Sequence, residues 1–351
     1  MKDPRSMTPP ASLPVLGVII VTYASADVIL DCLESLLAAP GVRLRIVVVD
    51  NASPDATIST LRSWAAGTTP YTAAADIPFP LPAAPKPLTL LTPSDAPPTG
   101  TSITLIQTGR NGGFAAGVNA GLAYLARNPE ITRFWVLNPD SVVPPQTPAL
   151  FANYGGAAAR FSLMGGRVNY LHAPDTIQID GGTIDRRTGV TGNLNLGRSA
   201  AATPQPDATA IDFIMGASMV ASREFYEAIG PLEEAYFLYY EEVDWAQRRG
   251  ALPLAICPGA TMLHRAGTSI GSPTLERSAS PFSVYFKHRA RMIFTRRFLP
   301  LSLPGAYGYS LAKAVQLALK GQRPQAMALL RATHGMAPPA SVKAALNQKI
   351  S

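Results

Sequence analysis

The stretch Trp135–Asp140, WVLNPD, decides how this chain is read. An apolar strand runs into Asn138-Pro139-Asp140 and delivers a carboxylate at its C-terminal end. In open α/β sheets, that end is where ligands bind. Two more buried-strand signals lie upstream, Val15–Thr22 (VLGVIIVT) and Leu44–Asn51 (LRIVVVDN), the second also ending in Asp-Asn. Downstream stand the acidic cluster Glu241-Glu242-Val243-Asp244 and a lone His264 behind a short apolar run. Several carboxylates and one imidazole along a sheet rim read as a metal and nucleotide site. Singly, each has a plainer reading: Asp140 as a turn residue, the acids as first-turn helix residues favoured by the macrodipole, His264 as a structural histidine. Their joint order along one sheet favours the functional one.

Composition bounds the rest. At 351 residues and 47% hydrophobic content, the chain can bury a large α/β core with additions. No 20–50-residue period repeats, which argues against a solenoid or propeller. No apolar run approaches the ~18 residues of a membrane-spanning helix. Residues 1–14 are polar and Pro-rich, read as a flexible start and not as a secretory leader. Cys32 and Cys257 read as small buried hydrophobes, as in a reduced cytoplasmic protein.

Charge is uneven. After Glu276 there is no Asp or Glu, while twelve of the 30 Lys and Arg fall there, leaving 18 basic against 23 acidic residues in the body. The basic stretch Ser283–Phe298 is interleaved with Tyr285, Phe286, Ile293, Phe294 and Phe298, a pattern suited to an interfacial segment on an anionic membrane. A solvated basic tail is the competing reading. The next helix, Tyr307–Lys320, places Leu311, Val315 and Leu319 on one stripe.

Residues 15–65 read as strand, helix, strand, helix, with Asp27 as a candidate N-cap and Pro40-Gly41 as a stop. Gly67–Gly100 is rich in Pro, Ala and Thr and reads as an insertion or flexible loop. A strand at Ile103–Gln107 leads through Arg110-Asn111-Gly112-Gly113 into a helix. The glycines do not form G-x-G-x-x-G and no Walker lysine follows, so a nicotinamide site loses its support. A helix N-terminus with free N–H groups beside Arg110 remains suited to phosphate. The glycine-punctuated residues 163–197 read as antiparallel hairpins lying against a parallel half.

The motifs VTY (Val21–Tyr23), VVVDNAS (Val47–Ser53), RNGGFAAGVNAG (Arg110–Gly121), LNPD (Leu137–Asp140), FIMGASMVASRE (Phe213–Glu224), FLYYEEVDWAQR (Phe237–Arg248) and PGATMLHRAG (Pro258–Gly267) occur in that order. In this order the chain resembles the family 2 inverting glycosyltransferases of GT-A fold, in particular the rhamnosyltransferase and galactofuranosyltransferase branch. The resemblance implies an α/β GT-A nucleotide-sugar fold: a mostly parallel sheet flanked by helices, a smaller antiparallel sheet and a basic helical tail. Residues 15–276 would be the catalytic domain, with 67–101 as an insertion, and 277–351 the tail.

The resemblance also implies roles. Thr22, Tyr23, Asp50 and Asn51 would hold the nucleoside, with Asp50 accepting from the base. Arg110, Asn111, Gly113 and Asn119 would border the donor, and Asn138 stands where the first Asp of the usual D-x-D would be. Asp140 and His264 would ligate a divalent cation, Mg²⁺ by the low carboxylate count or Mn²⁺ by the imidazole. Glu242 would be the base, flanked by Glu241 and Asp244, with Glu-Glu replacing the commoner Glu-Asp. Gly216, Ala217 and Trp245 would lie on the acceptor side.

The implied reaction moves a sugar, rhamnose or galactofuranose, from a nucleotide-diphosphate donor to a lipid-linked or polysaccharide acceptor. The setting would be envelope polysaccharide synthesis, with a cytoplasmic protein held peripherally at the inner membrane face and no nucleic-acid partner. Two alternatives compete. A sugar-1-phosphate nucleotidyltransferase would carry a basic Gly-rich loop after the first strand, where this chain has Thr22-Tyr23-Ala24-Ser25-Ala26-Asp27. A non-catalytic scaffold would have no need of Glu242, Asp140 and His264 together.

Overall fold

The computed structural model describes residues 13–96, 99–156, 159–265 and 279–347. Most of the expected flexible start, the last two residues of the PGATMLHRAG motif and the 276/277 boundary lie outside the described residues. The chain begins β1 (Val15–Thr22), α1 (Ile29–Leu37), β2 (Arg43–Asp50), α2 (Thr57–Ala66), β3 (Leu90–Leu91), β4 (Ser102–Gln107) and α3 (Phe114–Leu125). It continues with β5 (Arg133–Leu137), β6 (Ser141–Val142), α4 (Thr147–Asn153), β7 (Leu163–Tyr170), β8 (Ala173–Ile179), β9 (Gly182–Ile184) and β10 (Thr191–Asn193). Then follow β11 (Ser218–Ser222), α5 (Arg223–Ile229), α6 (Glu241–Gln247), β12 (Ala255–His264) and the C-terminal helices α7 (Pro281–Phe298), α8 (Leu303–Leu319), α9 (Arg323–Thr333) and α10 (Ala340–Asn347).

The main sheet runs β3-β4-β2-β1-β5-β11-β7-β12-β6, with β8 on β7; β9 and β10 form a small antiparallel sheet. β1 is buried at every position, as a parallel strand covered on both faces must be. Its alternate residues serve opposite faces. Leu16, Val18 and Ile20 pack with Ile29 and Leu33 of α1, while Ile19 and Val21 pack with Val118 and Leu122 of α3. A Cβ added to Gly117 or Gly121 would come within 2.6 Å of Val21 or Ile19, so these glycines allow α3 to approach β1.

Register then places the chemistry. Thr22 pairs with Asp50 and Ile20 with Leu137, so three parallel strands end together. β6, following Asp140, pairs antiparallel with the end of β12, setting His264 opposite Ser141.

Three expectations change. Helix α1 starts from Val28 with no side-chain cap; the Ser25 carbonyl accepts the N–H groups of Val28 and Ile29 instead of Asp27 capping. The 67–100 segment is largely coil but anchored, and not a free loop. Its Tyr71 hydroxyl donates to Asp31 (2.7 Å) and Lys86 to buried Glu34 (2.8 Å), while Asp76 accepts from Arg265 (2.8 Å). Finally, α7 is not a surface segment. Tyr285, Phe286 and Phe294 are buried, and even Arg291 is 2% exposed. Ala290 and Phe294 join the core beneath the sheet, while Val284, Tyr285 and Phe286 join a second cluster with α8 and α9. A helix covered on several sides has no single apolar face, which is why its residue pattern reads as spread.

Candidate active site

At the ends of β1 and β2, Asp50 is 1% exposed. It accepts from the Thr22 hydroxyl (3.0 Å), the Ser53 N–H (3.0 Å) and the Ser53 hydroxyl. A nucleobase would therefore have to share Asp50 with Thr22 and Ser53. Tyr23 hydrogen-bonds Asn111, joining the β1 end to the glycine turn. Buried Asn51 donates to the Gly113 carbonyl (2.8 Å), and Asn111 accepts from the Gly113 N–H (3.0 Å). Arg110 is exposed beside this turn.

Gly113 has φ +88°, and a Cβ there would lie 2.3 Å from the Phe237 carbonyl oxygen, so only glycine fits. That carbonyl accepts the Phe114 N–H (2.9 Å). The first N–H of α3 is thus already engaged, contrary to the expected free helix terminus. Asn119 also serves structure: its amide donates to the Leu232 carbonyl and Glu234, and its oxygen accepts from the Leu232 N–H. It ties α3 to the segment leading into α6.

The metal candidates meet. His264 Nε2 lies 3.0 Å from Asp140 Oδ1, with both groups nearly buried. His264 Nδ1 lies 2.9 Å from the Gln178 oxygen, which assigns the ring proton to Nδ1. With the proton on Nδ1, Nε2 and the Asp140 carboxylate oxygen stand side by side as two donor atoms that could share a cation. The Asn138 amide is 3.3 Å from the same nitrogen. Among the described residues, no three or more His, Cys, Asp and Glu converge as a complete cage. Two protein ligands fit a cation that completes its shell with water and substrate oxygens.

On the Glu242 side, Phe237, Tyr239 and Tyr240 all have positive φ (66°, 67° and 69°), a costly run for bulky residues. The strain is held by tertiary contacts. Phe237 stacks on Phe286 of α7 at 4.8 Å, Tyr239 hydroxyl lies 2.7 Å from Ser283 Oγ, and Tyr240 donates to the Gly189 carbonyl (2.7 Å). This segment sets Glu241 and Glu242 at the start of α6. Burial, then the charge of Glu242, holds Glu241 well above the usual carboxylate range. Glu242 is half-buried. Its pKa is pushed up to about 7 by burial, against the downward pull of the Lys287 ammonium on α7.

Asp244 and Trp245 take structural places instead. Asp244 is fully buried and accepts from Arg248 (2.6 Å), Arg297 (2.9 Å) and Tyr236 (3.0 Å), leaving it no catalytic freedom. Trp245 is fully buried, packs on Phe225 and donates to the Gly230 carbonyl, so it cannot stack on an acceptor sugar. The two halves meet at Gly216-Ala217. The Asn138 N–H donates to the Ala217 carbonyl (2.9 Å), while a Cβ on Gly216 would touch Phe114 (3.5 Å) and Glu242 (3.8 Å).

Comparison with known proteins agrees with this architecture. Residues 17–72 match glycosyl transferase family 2. Those residues are β1 through α2 and the following coil. The low-salt glycan biosynthesis hexosyltransferase Agl10 of Haloferax volcanii is 26% identical over 210 residues, 57% of this chain and 62% of that protein. The match thus spans less than two thirds of that relative. Mannosyltransferase PcManGT from Pyrobaculum calidifontis, solved with GDP-Man and Mn²⁺, superposes with a TM-score of 0.50 at 18% identity, covering 99% of this chain and 83% of that one. GalNAc-T7, solved with UDP, GalNAc and Mn²⁺, gives 0.50 at 14% identity over 80% of this chain and 48% of that one. The fold is the GT-A glycosyltransferase fold.

Sequence reading missed Gln178, Ser283, Phe286 and Lys287. Gln178 lies in an ordinary-looking hairpin, and the other three fall in the stretch read as a tail. The one usable signal was the juxtaposition of aromatics and lone cations in Ser283–Arg291.

Proposed function

We propose that this protein is an inverting glycosyltransferase that moves a sugar from a nucleotide-diphosphate donor to a hydroxyl of a glycan or lipid-linked acceptor. The observation that carries the reading is the Gly216-Ala217 turn, where the Ala217 carbonyl takes the Asn138 N–H of the strand end leading to Asp140 and Gly216 lies beside Glu242. The family match at 17–72 and the hexosyltransferase relative support the same class.

Thr22, Tyr23, Asp50 and Asn51 shape the nucleoside end, with Asn111, Gly113 and exposed Arg110 beside it. Asp140 and His264 would hold the divalent cation, oriented by Gln178. When bound, that cation stabilises the negative charge of the departing diphosphate as a Lewis acid. Glu242 takes the proton of the acceptor hydroxyl as that oxygen forms its bond to the anomeric carbon and the bond to the diphosphate oxygen breaks. A base of pKa near 7 is half available at neutral pH and strong enough to accept the proton, a role worth about 10²–10⁴-fold. Rhamnose and galactofuranose are the donor sugars suggested by the branch the sequence resembles.

The reading is tested by thermal melts with a panel of nucleotide-diphosphate sugars, each with and without Mn²⁺ or Mg²⁺. A ligand of the folded state raises the melting temperature by mass action. At least one sugar nucleotide should stabilise only with cation; a panel without any such response would refute the assignment.

A further inference from the structure

Helix α8 has two unlike faces. Its inner face, Ala306, Ser310 and Ala314, is buried, and Ser310 accepts from Arg291 of α7. Its outer face carries Leu311, Val315 and Leu319 at four-residue spacing, 49%, 59% and 84% exposed. Among the exposed positions of α8, Gln316 is the only polar one. Leu301, just ahead of the helix, is 96% exposed. Contiguous exposed apolar surface on a folded protein marks a contact site.

Cations flank this stripe. Lys320 and exposed Arg323 follow its C-terminal end, and Lys313 lies within the helix. Exposed Arg296 of α7 donates to Tyr307 near its N-terminal end. No carboxylate follows Glu276 anywhere in the sequence, so the stripe and its rim lie on an entirely basic element.

The helix is too short and insufficiently apolar to cross a bilayer, as is every helix among the described residues. A second copy is a poor occupant: a 17-residue helix is about 26 Å long and about 10 Å wide. That offers a few hundred Å² at most, against about 800 Å² per partner in a stable protein interface.

We propose that the outer face of α8 docks on an anionic lipid surface, with Leu311, Val315 and Leu319 seated among the acyl chains and Lys320 and Arg323 at the headgroups. This geometry is that of an amphipathic helix lying in the interfacial plane. The surface is distinct from the active site, and the inference does not rest on the transferase reading. It moves the membrane contact from α7, which is buried, to α8.

The test is co-sedimentation of the full chain with vesicles of phosphatidylglycerol and phosphatidylcholine, beside phosphatidylcholine alone. Wild type should bind the anionic vesicles at low salt and weaken toward 1 M, where the screening length falls to about 3 Å. The triple variant L311S/V315S/L319S changes exposed positions, and an unchanged melting temperature shows that it folds. It should partition at least about 10-fold more weakly, and K320Q/R323Q should lose the preference for anionic lipid. Absence of wild-type binding, or equal binding by the apolar triple variant, overturns the proposal. So does a concentration-dependent dimer in light scattering that the triple variant abolishes, which would make the face a contact between copies.

Discussion

The strand-end rim and the segment bearing Glu242 meet at Gly216-Ala217, yet they are held by different physics. Asp140 and His264 owe their approach to sheet register: β6 pairs with β12 and sets one beside the other. Glu242 owes its place to a strained run of aromatics that only remote contacts from α7 and the β9–β10 turn hold in shape. A register-built site survives local changes at the surface. A brace-built site fails when its brace is removed.

The sharpest way to separate the two halves is Glu242→Gln. Turnover should fall at least about 10²-fold because an amide cannot take the proton, with the fold kept. Glu241→Gln should cost far less, because Glu241 is buried at 3% exposure while Glu242 is the more open of the two. Steady-state kinetics on both variants decide it; a larger loss in Glu241→Gln would move the base by one residue.

The brace is tested next. Phe286→Ala removes the ring stacked on Phe237 and should destabilise the protein by about 3–5 kcal/mol, as buried Phe truncations do. It should also lower turnover at temperatures where the variant remains folded. Thermal melts alongside kinetics read both effects. Loss of stability with unchanged turnover would show that α7 supports the fold without supporting Glu242.

How much of this was legible in the sequence follows the same division. The strands VLGVIIVT and RIVVVD, the glycine turn before α3 and the Asp140 and His264 positions lie within elements whose pattern is local, so residue order sufficed. The register that brings His264 to Asp140 came only with the structure. What escaped was long-range. Gln178 reaches His264 across 86 residues of sequence, and Phe286 and Lys287 sit in a helix whose even spread of cations and aromatics resembled a surface segment. Trp245 and Asp244 were misplaced for the converse reason: adjacency to Glu242 in sequence says nothing of direction, and one helical turn carries them into the core.

The smallest expected effect lies in pH. Activity should rise as Glu242 loses its proton on passing upward through about 7. The Lys287 ammonium holds that pKa down, so Lys287→Met should move the acidic limb of kcat/KM to higher pH. An unmoved limb would mean that another group carries the profile.

The central claim is that the Asp140–His264 pair binds the donor through a cation while Glu242 acts only on the acceptor. Calorimetric titration of the stabilising nucleotide sugar, with Mn²⁺ present, into wild type, Asp140→Ala and Glu242→Gln tests both halves at once. The account predicts that Asp140→Ala loses cation-dependent binding and Glu242→Gln keeps it. Unchanged affinity in Asp140→Ala would contradict it.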